Sequence, residues 1–211
     1  MTGVLYRIAR FSVRHRFAIL AIWLLATIAL VTVSHRLGDT TNISVVDFAG
    51  NACVVTMTLG IGSGVWLPGL GVHLNSMLGE GELITSGMAP GSRMSSMMCP
   101  MVVVDDDGHL EVAAGSAGAS RIRTALIHTL INVLVKGDDM TTAINSPRFH
   151  VVDETVHIEP GYPEEETDGL AKAGYRVQRW DRADHYFGGA SAVGHAGAAG
   201  DPRRGGVGRL A

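Results

Sequence analysis

The sequence is poor in the side chains that build disulfide frameworks and metal centres. Its 211 residues include two cysteines, Cys53 and Cys99, which form no Cys-x-x-Cys pair, so the spacing of a zinc site is missing. We expect both to be small buried side chains, with a disulfide only if the region is exported. The acidic run Asp105-Asp106-Asp107 lacks the spacing and terminal Glu of an EF-hand, which predicts a solvated turn. We therefore expect no metal and no other cofactor.

The chain also lacks an excess of positive charge. Lys and Arg number 17 against 20 Asp and Glu, a formal net charge of −3. Proteins that bind nucleic acid are usually strongly basic, so we expect no nucleic-acid partner. A length of 211 residues, of which 46% are hydrophobic, suffices for one domain with a sizeable core.

One long uncharged run occupies residues 17–33. As a helix it would span roughly 25 Å, the short end of a bilayer crossing. Arginines cluster before the run, so the positive-inside rule keeps the N-terminus in the cytoplasm and places residues 40–211 on the extracytoplasmic side. The residues after the run make a poor cleavage site. We predict a basic N-terminus with an uncleaved transmembrane anchor in residues 1–38 and a separate domain in residues 39–211; a buried soluble helix is the alternative for the run.

The rest of the chain carries blocks of strand and helix signals. The predicted strands, the first four forming two hairpins, are residues 43–48, 52–57, 101–104, 110–114, 175–180 and 190–193. The predicted helices are residues 120–136, 140–145 and 163–173. The first of these helices is apolar on both faces, which predicts that it is well buried. This order of elements is typical of an α+β layered fold.

Four short strings carry a resemblance to a known family. They are DTTNISVVD at residues 39–47, GSAGASR at 115–121, NSPRFH at 145–150 and DPR at 201–203. In this order they resemble the small, catalytic subunit of γ-glutamyltransferases. The resemblance implies part of a four-layer αββα sandwich of the N-terminal nucleophile hydrolases. It also implies an enzyme that cleaves γ-glutamyl amides such as glutathione and passes the γ-glutamyl group to water or to an amino acceptor.

By the same resemblance, Thr40 is the nucleophile, released as a new N-terminus when the Asp39–Thr40 bond is cleaved. A free α-amine then serves as the base for the hydroxyl of the same residue. Thr58 matches a second family Thr that hydrogen-bonds the nucleophile. Gly118 and Ala119 match a Gly-Gly pair whose backbone N–H groups form the oxyanion hole. Taken alone, these residues also fit ordinary strand threonines and a tight turn before a helix.

The substrate clamp departs further from the family. Ser96 matches the first of two family serines that hold the substrate α-carboxylate, and Met97 replaces the second; a shift of one residue would use Ser95 and Ser96 instead. For the α-amino group, Met77 replaces one family residue, and Glu80 is expected to stand in for the acidic one. The resemblance therefore implies a divergent γ-glutamyltransferase with a loosened hold on the amino-acid part of its substrate.

The resemblance further implies a large subunit ahead of the nucleophile, which residues 1–39 do not match. We expect a separate large-subunit chain as partner, and an inactive, aggregation-prone protein without it. Residues 1–42 instead resemble the start of MmpL-type lipid exporters, through the strings LYR, FSVRHR and HRLGDTTN. The chain thus has the pattern of a chimera. A non-catalytic, membrane-anchored remnant or interaction protein is the alternative function; an exporter fragment is disfavoured, since no exporter pattern continues past residue 42.

Overall fold

The computed structural model describes residues 40–79, 83 and 87–210. The predicted membrane run at residues 17–33 lies outside these residues, as do Asp39 and Glu80. Within the described ranges, no helix combines the length and the hydrophobicity needed to cross a bilayer. The transmembrane anchor therefore stays a prediction.

Strands and helices occur in separate blocks along the described residues, as the α+β prediction requires. The strands are β1 (Thr40–Val46), β2 (Ala52–Thr58), β3 (Trp66–Leu67), β4 (Val72–His73), β5 (Met101–Val104), β6 (Leu110–Ala117), β7 (Phe149–Val152), β8 (Thr155–Ile158), β9 (Arg176–Arg179), β10 (Gly189–Gly194) and β11 (Gly197–Gly200). The α-helices are α1 (Arg121–Leu130), α2 (Met140–Asn145) and α3 (Glu164–Lys172). The sheets have the orders β1-β2, β3-β4, β11-β10-β6-β5 and β7-β8-β9. Their pairings are antiparallel except that of β8 with β9.

The first predicted hairpin is confirmed. β1 begins at Thr40 and pairs with β2 so that Thr40 lies opposite Thr58. In the turn between the strands, the Asp47 carboxylate accepts hydrogen bonds from the backbone N–H groups of Ala49 and Asn51, each at 2.9 Å. The turn thereby helps to fix the register that brings the two threonines together.

The four-stranded sheet and two helices hold the hydrophobic core. α1 and α2 pack on one face of the sheet, against β6, β10 and β11. Buried side chains of the strands and of the helices meet there, and they include Val112, Ala114, Ala190, Ala192, Ile122, Leu126, Met140 and Ile144. The short alanine side chains on the strands leave room for the longer helix side chains, which allows close packing.

The β1-β2 hairpin packs on the opposite face of that sheet through polar contacts. Asn42 Nδ2 donates to Ser191 Oγ at 2.6 Å, and Thr56 Oγ1 donates to Asn42 Oδ1 at 2.6 Å. Gly115 lies against the Asn42 side chain, where a Cβ atom would collide with it. Helices, sheet and hairpin thus form three successive layers, α, β and β; the fourth layer of the predicted sandwich stays a prediction.

The outward side of the hairpin is apolar and exposed. We call this surface, formed by Ile43, Val45, Cys53, Val55 and Met57, the outer hairpin face. Its four larger side chains are between 42% and 63% exposed. A sheet that faces water usually carries polar side chains outward, so the pattern here is reversed. Contiguous exposed apolar surface of this kind marks an interaction site.

Two predictions of burial are wrong. Cys53 and Cys99 are both exposed and free, because the first points outward from β2 and the second lies in the extended segment before β5. The predicted long helix continues past α1 as a π-helix over Ile131–Val135. The second wrong prediction is that this helix is well buried. Only one side of it faces the sheet, and Ile127 and Val135 are 55% and 77% exposed.

Candidate active site

Thr40 and Thr58 contact each other through their hydroxyl groups. Thr40 Oγ1 lies 3.0 Å from Thr58 Oγ1, and either oxygen can donate. The backbone N–H of Gly60 donates to Thr58 Oγ1 at 2.9 Å, which orients the Thr58 side chain. The hairpin register already pairs the two residues, so the contact follows directly from the fold.

A left-handed turn lines the same cavity as the two threonines. Gly118 and Ala119 have φ angles of 130° and 51°, and their carbonyl groups accept hydrogen bonds from the first two N–H groups of α1, each at 3.0 Å. Gly118 packs against Gly188, whose Cα would lie 2.7 Å from a Cβ at position 118. Position 118 therefore requires glycine, whereas Ala119 is tolerated in a conformation that costs energy.

Ala119→Gly is expected to stabilise the protein. A non-glycine residue in the left-handed region costs roughly 1–2 kcal/mol. Glycine removes this cost but makes the unfolded chain more flexible, which cancels part of the gain. We expect the free energy of unfolding in urea to rise by about 0.5–1 kcal/mol. Ala113→Gly, at a buried position of β6, is the control and should destabilise. Equal losses in both variants would mean that position 119 does not adopt this turn.

The cavity has a volume of about 480 Å³ and two contrasting walls. We call one the apolar wall, formed by Met77, Met97 and Met98, and the other the basic wall, formed by Arg121, His185 and Arg204. The residues of the basic wall come from three separate segments of the chain. No pattern in the sequence joins them, so they were missed as candidate substrate contacts.

Of the predicted substrate-binding residues, the two that the structure describes do not line this cavity. Ser95 and Ser96 are exposed, and neither belongs to the residues that line it. Ser96 Oγ instead accepts a hydrogen bond from the backbone two residues further on, at 3.1 Å. Glu80 lies outside the described residues, although its neighbour Gly79 lines the cavity. The roles predicted for these side chains therefore stay predictions.

A buried group of four charged side chains contacts Gly188, the glycine that packs against the turn at 118–119. Arg148 lies 2.6 Å from Asp201, and Arg203 lies 2.6 Å from Glu159 and 3.2 Å from Asp201. All four side chains are at most 3% exposed, and their charges cancel. Burial lowers the pKa of Arg148, while Asp201 opposes that shift. Arg148 also donates to the carbonyl of Gly188 at 3.5 Å, so the network holds the glycine that packs against the turn.

Two histidines should make the fold sensitive to acid. Burial, followed by the charge of Arg148 for His128 and of Arg121 for His150, lowers both pKa values from 6.5 to about 4. Between about pH 4 and pH 6.5 the unfolded chain binds more protons than the folded chain. The free energy of unfolding therefore falls as the pH falls. We expect a loss of roughly 1–2 kcal/mol per histidine between pH 7 and pH 5 in urea unfolding, the lower figure allowing for partial exposure to solvent. His150→Asn should reduce this difference; an unchanged pH dependence would contradict the assignment.

The acidic run between β5 and β6 forms a hydrogen-bonded turn. Asp105 Oδ1 accepts from the backbone N–H groups of Asp107 and His109, at 3.0 and 2.8 Å. Ligand atoms of these three residues lie within 4.8 Å of one another, and two of the three residues are exposed. The arrangement agrees with the predicted solvated turn and lies apart from the residues that line the cavity.

Known protein sequences relate this chain to one family. The profile of the gamma-glutamyltranspeptidase family matches residues 22–210. Scoloptoxin SSD20 of Scolopendra dehaani is 30% identical over 156 residues, which are 66% of this chain and 79% of that protein. The glutathione hydrolase proenzyme of Escherichia coli (strain K12) is 31% identical over 162 residues, which are 68% of this chain and 27% of the proenzyme. This chain spans about a quarter of the length of such proenzymes.

Solved structures share the fold. The gamma-glutamyltranspeptidase from Pseudomonas nitroreducens, complexed with L-DON, superposes with a TM-score of 0.67 at 29% identity, over 81% of this chain and 99% of that chain. The transpeptidase CapD of Bacillus anthracis gives a TM-score of 0.64 at 26% identity over the same shares of the two chains. The mixed α and β fold predicted from the sequence is thereby confirmed. Given the profile match over nearly all of its length, the chain belongs to the gamma-glutamyltranspeptidase family.

Proposed function

We propose that this chain is the catalytic part of a threonine hydrolase and transferase that acts on γ-glutamyl amides. The Thr40 hydroxyl attacks the amide carbonyl carbon, and its proton passes to the α-amine of Thr40 and then to the leaving amine. An ester between the γ-glutamyl group and Thr40 remains. Water or an amino acceptor attacks this ester, which releases the product and restores the hydroxyl. The backbone N–H groups of the turn at 118–119 stabilise the oxyanion formed in each step.

The observation that carries the proposal is the contact of 3.0 Å between Thr40 Oγ1 and Thr58 Oγ1, in a cavity that the turn at 118–119 also lines. A hydrogen bond from a second hydroxyl orients the attacking oxygen, and orientation of this kind supplies much of the catalysis in acyl transfer. Two relatives named glutathione hydrolase proenzymes support γ-glutamyl donors as the substrate class.

Thr40 obtains its α-amine in this proposal by cleavage of the Asp39–Thr40 bond. The Thr40 hydroxyl attacks the Asp39 carbonyl carbon, the bond to nitrogen breaks, and an ester replaces the peptide. Water then hydrolyses the ester and leaves Thr40 as a new N-terminus. The step uses the same oxygen as the later reaction and needs no γ-glutamyl substrate. The word proenzyme in the names of the relatives supports such processing.

A second polypeptide, corresponding to a large subunit, completes the enzyme we propose. The outer hairpin face supports this, because Ile43, Val45, Val55 and Met57 are exposed where a fourth layer of the sandwich would cover them. The partner would bury the apolar face and add side chains to the substrate site.

We also propose that residues 17–33 anchor the protein in a membrane, with residues 40–211 on the extracytoplasmic side. The support is the uncharged run and the arginines that precede it. The resemblance of residues 1–42 to MmpL-type exporters stays a separate prediction. The family profile starts at residue 22, inside the same run.

A non-catalytic, membrane-anchored protein is the competing proposal. Met77 and Met97 favour it, because both line the cavity at positions where the resemblance implies polar residues that bind the substrate amino acid. Losing a hydrogen bond to a charged ligand group costs roughly 1.5–3 kcal/mol. A cavity altered in this way would keep the fold and lose affinity for glutamate.

Release of the coloured amine from γ-glutamyl-4-nitroanilide distinguishes the two proposals. We expect no release by the chain alone and measurable release when it is co-expressed with a large subunit of the family, because the partner supplies the missing layer. The same pair with Thr40→Ala is the control and should be inactive. Turnover by a monodisperse chain alone would contradict the need for a partner. Failure of a stable complex to release amine would favour the non-catalytic protein.

A further inference from the structure

Sulfur-containing side chains are concentrated in one short segment of the chain. Residues 88–101 read MAPGSRMSSMMCPM, so they carry five of the nine methionines and one of the two cysteines. Met101 packs against the hydrophobic core. Met97 and Met98 instead line the cavity of the candidate active site, as Met77 does. Three thioether side chains from two separate segments therefore border one space.

Local hydrogen bonds fix the backbone at two of these methionines. Ser96 Oγ accepts from the backbone N–H of Met98 at 3.1 Å. In the same way, Asn75 Oδ1 accepts from the backbone N–H of Met77 at 3.0 Å. Beyond the backbone, a methionine side chain has three rotatable bonds and adapts its shape to what it contacts. The sulfur atoms can therefore converge on one small ligand while the backbone stays in place.

The three methionines are only partly buried, which distinguishes them from a methionine that fills a gap in a core. Met140, by comparison, is 0% exposed and belongs to the core between the sheet and the helices. Leucine would serve a purely apolar wall as well, because leucine and methionine replace one another at little cost. Methionine differs from leucine in its polarizable sulfur. Beyond apolar surface, the wall therefore offers a set of soft donors.

Thioether donors select the kind of metal ion. They are soft and uncharged, so they suit Cu(I). The hard ions Mg²⁺ and Ca²⁺ bind them poorly, because those ions need oxygen ligands. A thioether also has no proton to lose, so it stays a ligand at any pH. Such a site lies outside the zinc and calcium patterns on which the expectation of no metal rested.

The arginines of the basic wall allow a monovalent ion at the apolar wall. The Arg121 guanidinium lies over the Tyr186 ring, 4.1 Å from its centroid. Arg204 Nη2 donates to the His185 carbonyl at 3.1 Å. These contacts hold both guanidinium groups at the basic wall. Because Coulomb repulsion scales with charge, a monovalent ion loses less than a divalent ion does beside these groups.

We propose that Met77, Met97 and Met98 bind Cu(I) together, as a thioether site in the cavity of the candidate active site. The inference goes beyond the proposed function and does not rest on it, because it requires the three sulfur atoms and not a reactive Thr40. It assigns a metal-binding role to a sulfur-rich segment for which γ-glutamyl chemistry has no need.

Titration with silver tests the site, because Ag(I) is a soft monovalent ion that, unlike Cu(I), is stable in air. The full chain is used in detergent micelles with Cys53→Ser and Cys99→Ser, since both thiols are exposed and free and would bind the same ion. Calorimetry in chloride-free buffer should show strong binding of a single ion per chain. Calcium should show none, and Cu(I) supplied as its acetonitrile complex without oxygen should compete with silver.

Leucine variants show whether the sulfur atoms hold the ion, since leucine keeps an apolar side chain of similar volume. We expect Met77→Leu and Met97→Leu each to weaken silver binding by at least about tenfold, because losing even a group that only orients a metal ligand costs about 10–100-fold. The variant with all three methionines replaced should lose the strong site. Met57→Leu is the matched control and should bind as the parent does, because Met57 is 63% exposed and does not line the cavity.

Nuclear magnetic resonance of isotope-labelled methionine methyl groups identifies the ligands. Silver should shift the signals of the three proposed ligands and leave that of Met140 unchanged, and the Met140 signal also shows whether each variant keeps its fold. Strong binding by the triple leucine variant, or no strong binding by the parent chain, would overturn the proposal. Loss of binding in Met94→Leu but not in Met77→Leu would assign the ion to the sulfur-rich segment alone and overturn the shared site.

Discussion

Asp201→Ala is expected to lower the free energy of unfolding by about 3–5 kcal/mol. Asp201 lies 2.6 Å from Arg148 and 3.2 Å from Arg203, and it accepts a hydrogen bond from the backbone N–H of Ala190 at 3.0 Å. The variant leaves Arg148, which is 1% exposed, as a buried charge with its ion-pair partner removed. Proteins tolerate such a charge poorly, because solvent cannot replace the lost partner. Urea unfolding measures the loss.

Asp168→Ala is the matched control for this prediction. Asp168 lies 3.9 Å from Arg179, and the two side chains are 69% and 46% exposed. Exposed pairs of this kind contribute below about 1 kcal/mol. The double variant Arg148→Met with Asp201→Leu should recover much of the loss, since it removes both charges together. Similar losses for Asp201→Ala and Asp168→Ala would contradict a stabilising role for the buried network.

The sequence predicted the elements with strong local signals. The hairpins at β1-β2 and β5-β6 were predicted because β-rich runs flank clear turns. Helix α2 was predicted over its full range, and Asp139 caps it by accepting from the N–H groups of Thr141 and Thr142, each at 3.0 Å. β7 and β8 were missed, because Pro147 and the charged turn at Asp153-Glu154 obscured two short runs. They pair with each other as a tight hairpin, whereas the parallel pairing of β8 with β9 joins more distant parts of the chain.

The outer hairpin face shows why a pattern of hydrophobic residues does not by itself settle burial. Ile43 and Val45 alternate with polar residues as in any strand whose apolar side faces a core. In the structure, however, the polar side chains of Asn42 and Ser44 face the sheet, and the apolar ones are exposed. Periodicity identifies two faces of a strand but not which of them this chain covers.

The candidate site was only partly predictable. Thr40, Thr58 and the turn at 118–119 were named because they lie within or close to strings that resemble the family, and the structure brings them to one cavity. The strings at 145–150 and 201–203 also carried the resemblance, but their role as partners in a buried ion network could not be read from their spacing. The basic wall was missed for the same reason, since Arg121, His185 and Arg204 meet only in the folded chain.

Thr40→Ala is expected to abolish cleavage after Asp39 and to lower γ-glutamyl turnover by at least about a thousandfold. The variant removes the oxygen that forms the ester in both reactions, and no rearrangement of the cavity restores it. Thr40→Ser keeps that oxygen and should retain both reactions at reduced rates. Turnover of γ-glutamyl-4-nitroanilide by the complex with a large subunit measures the second effect.

Thr41→Ala is the neighbouring control. Thr41 is exposed on the outward side of β1, and it makes no contact with the cavity among the described residues. We expect it to keep both cleavage and turnover within a few-fold of wild type. A Thr41→Ala variant as inactive as Thr40→Ala would assign the loss to the strand as a whole and not to the Thr40 hydroxyl.

The most direct measurement is the intact mass of the purified wild-type chain after incubation near neutral pH, beside that of Thr40→Ala. Cleavage is intramolecular and requires no γ-glutamyl substrate, so our proposal predicts two fragments for wild type, the second starting at Thr40, and a single uncut mass for the variant. A wild-type chain that stays whole, or a Thr40→Ala chain cut at the same bond, would contradict the claim that Thr40 is a self-processing nucleophile.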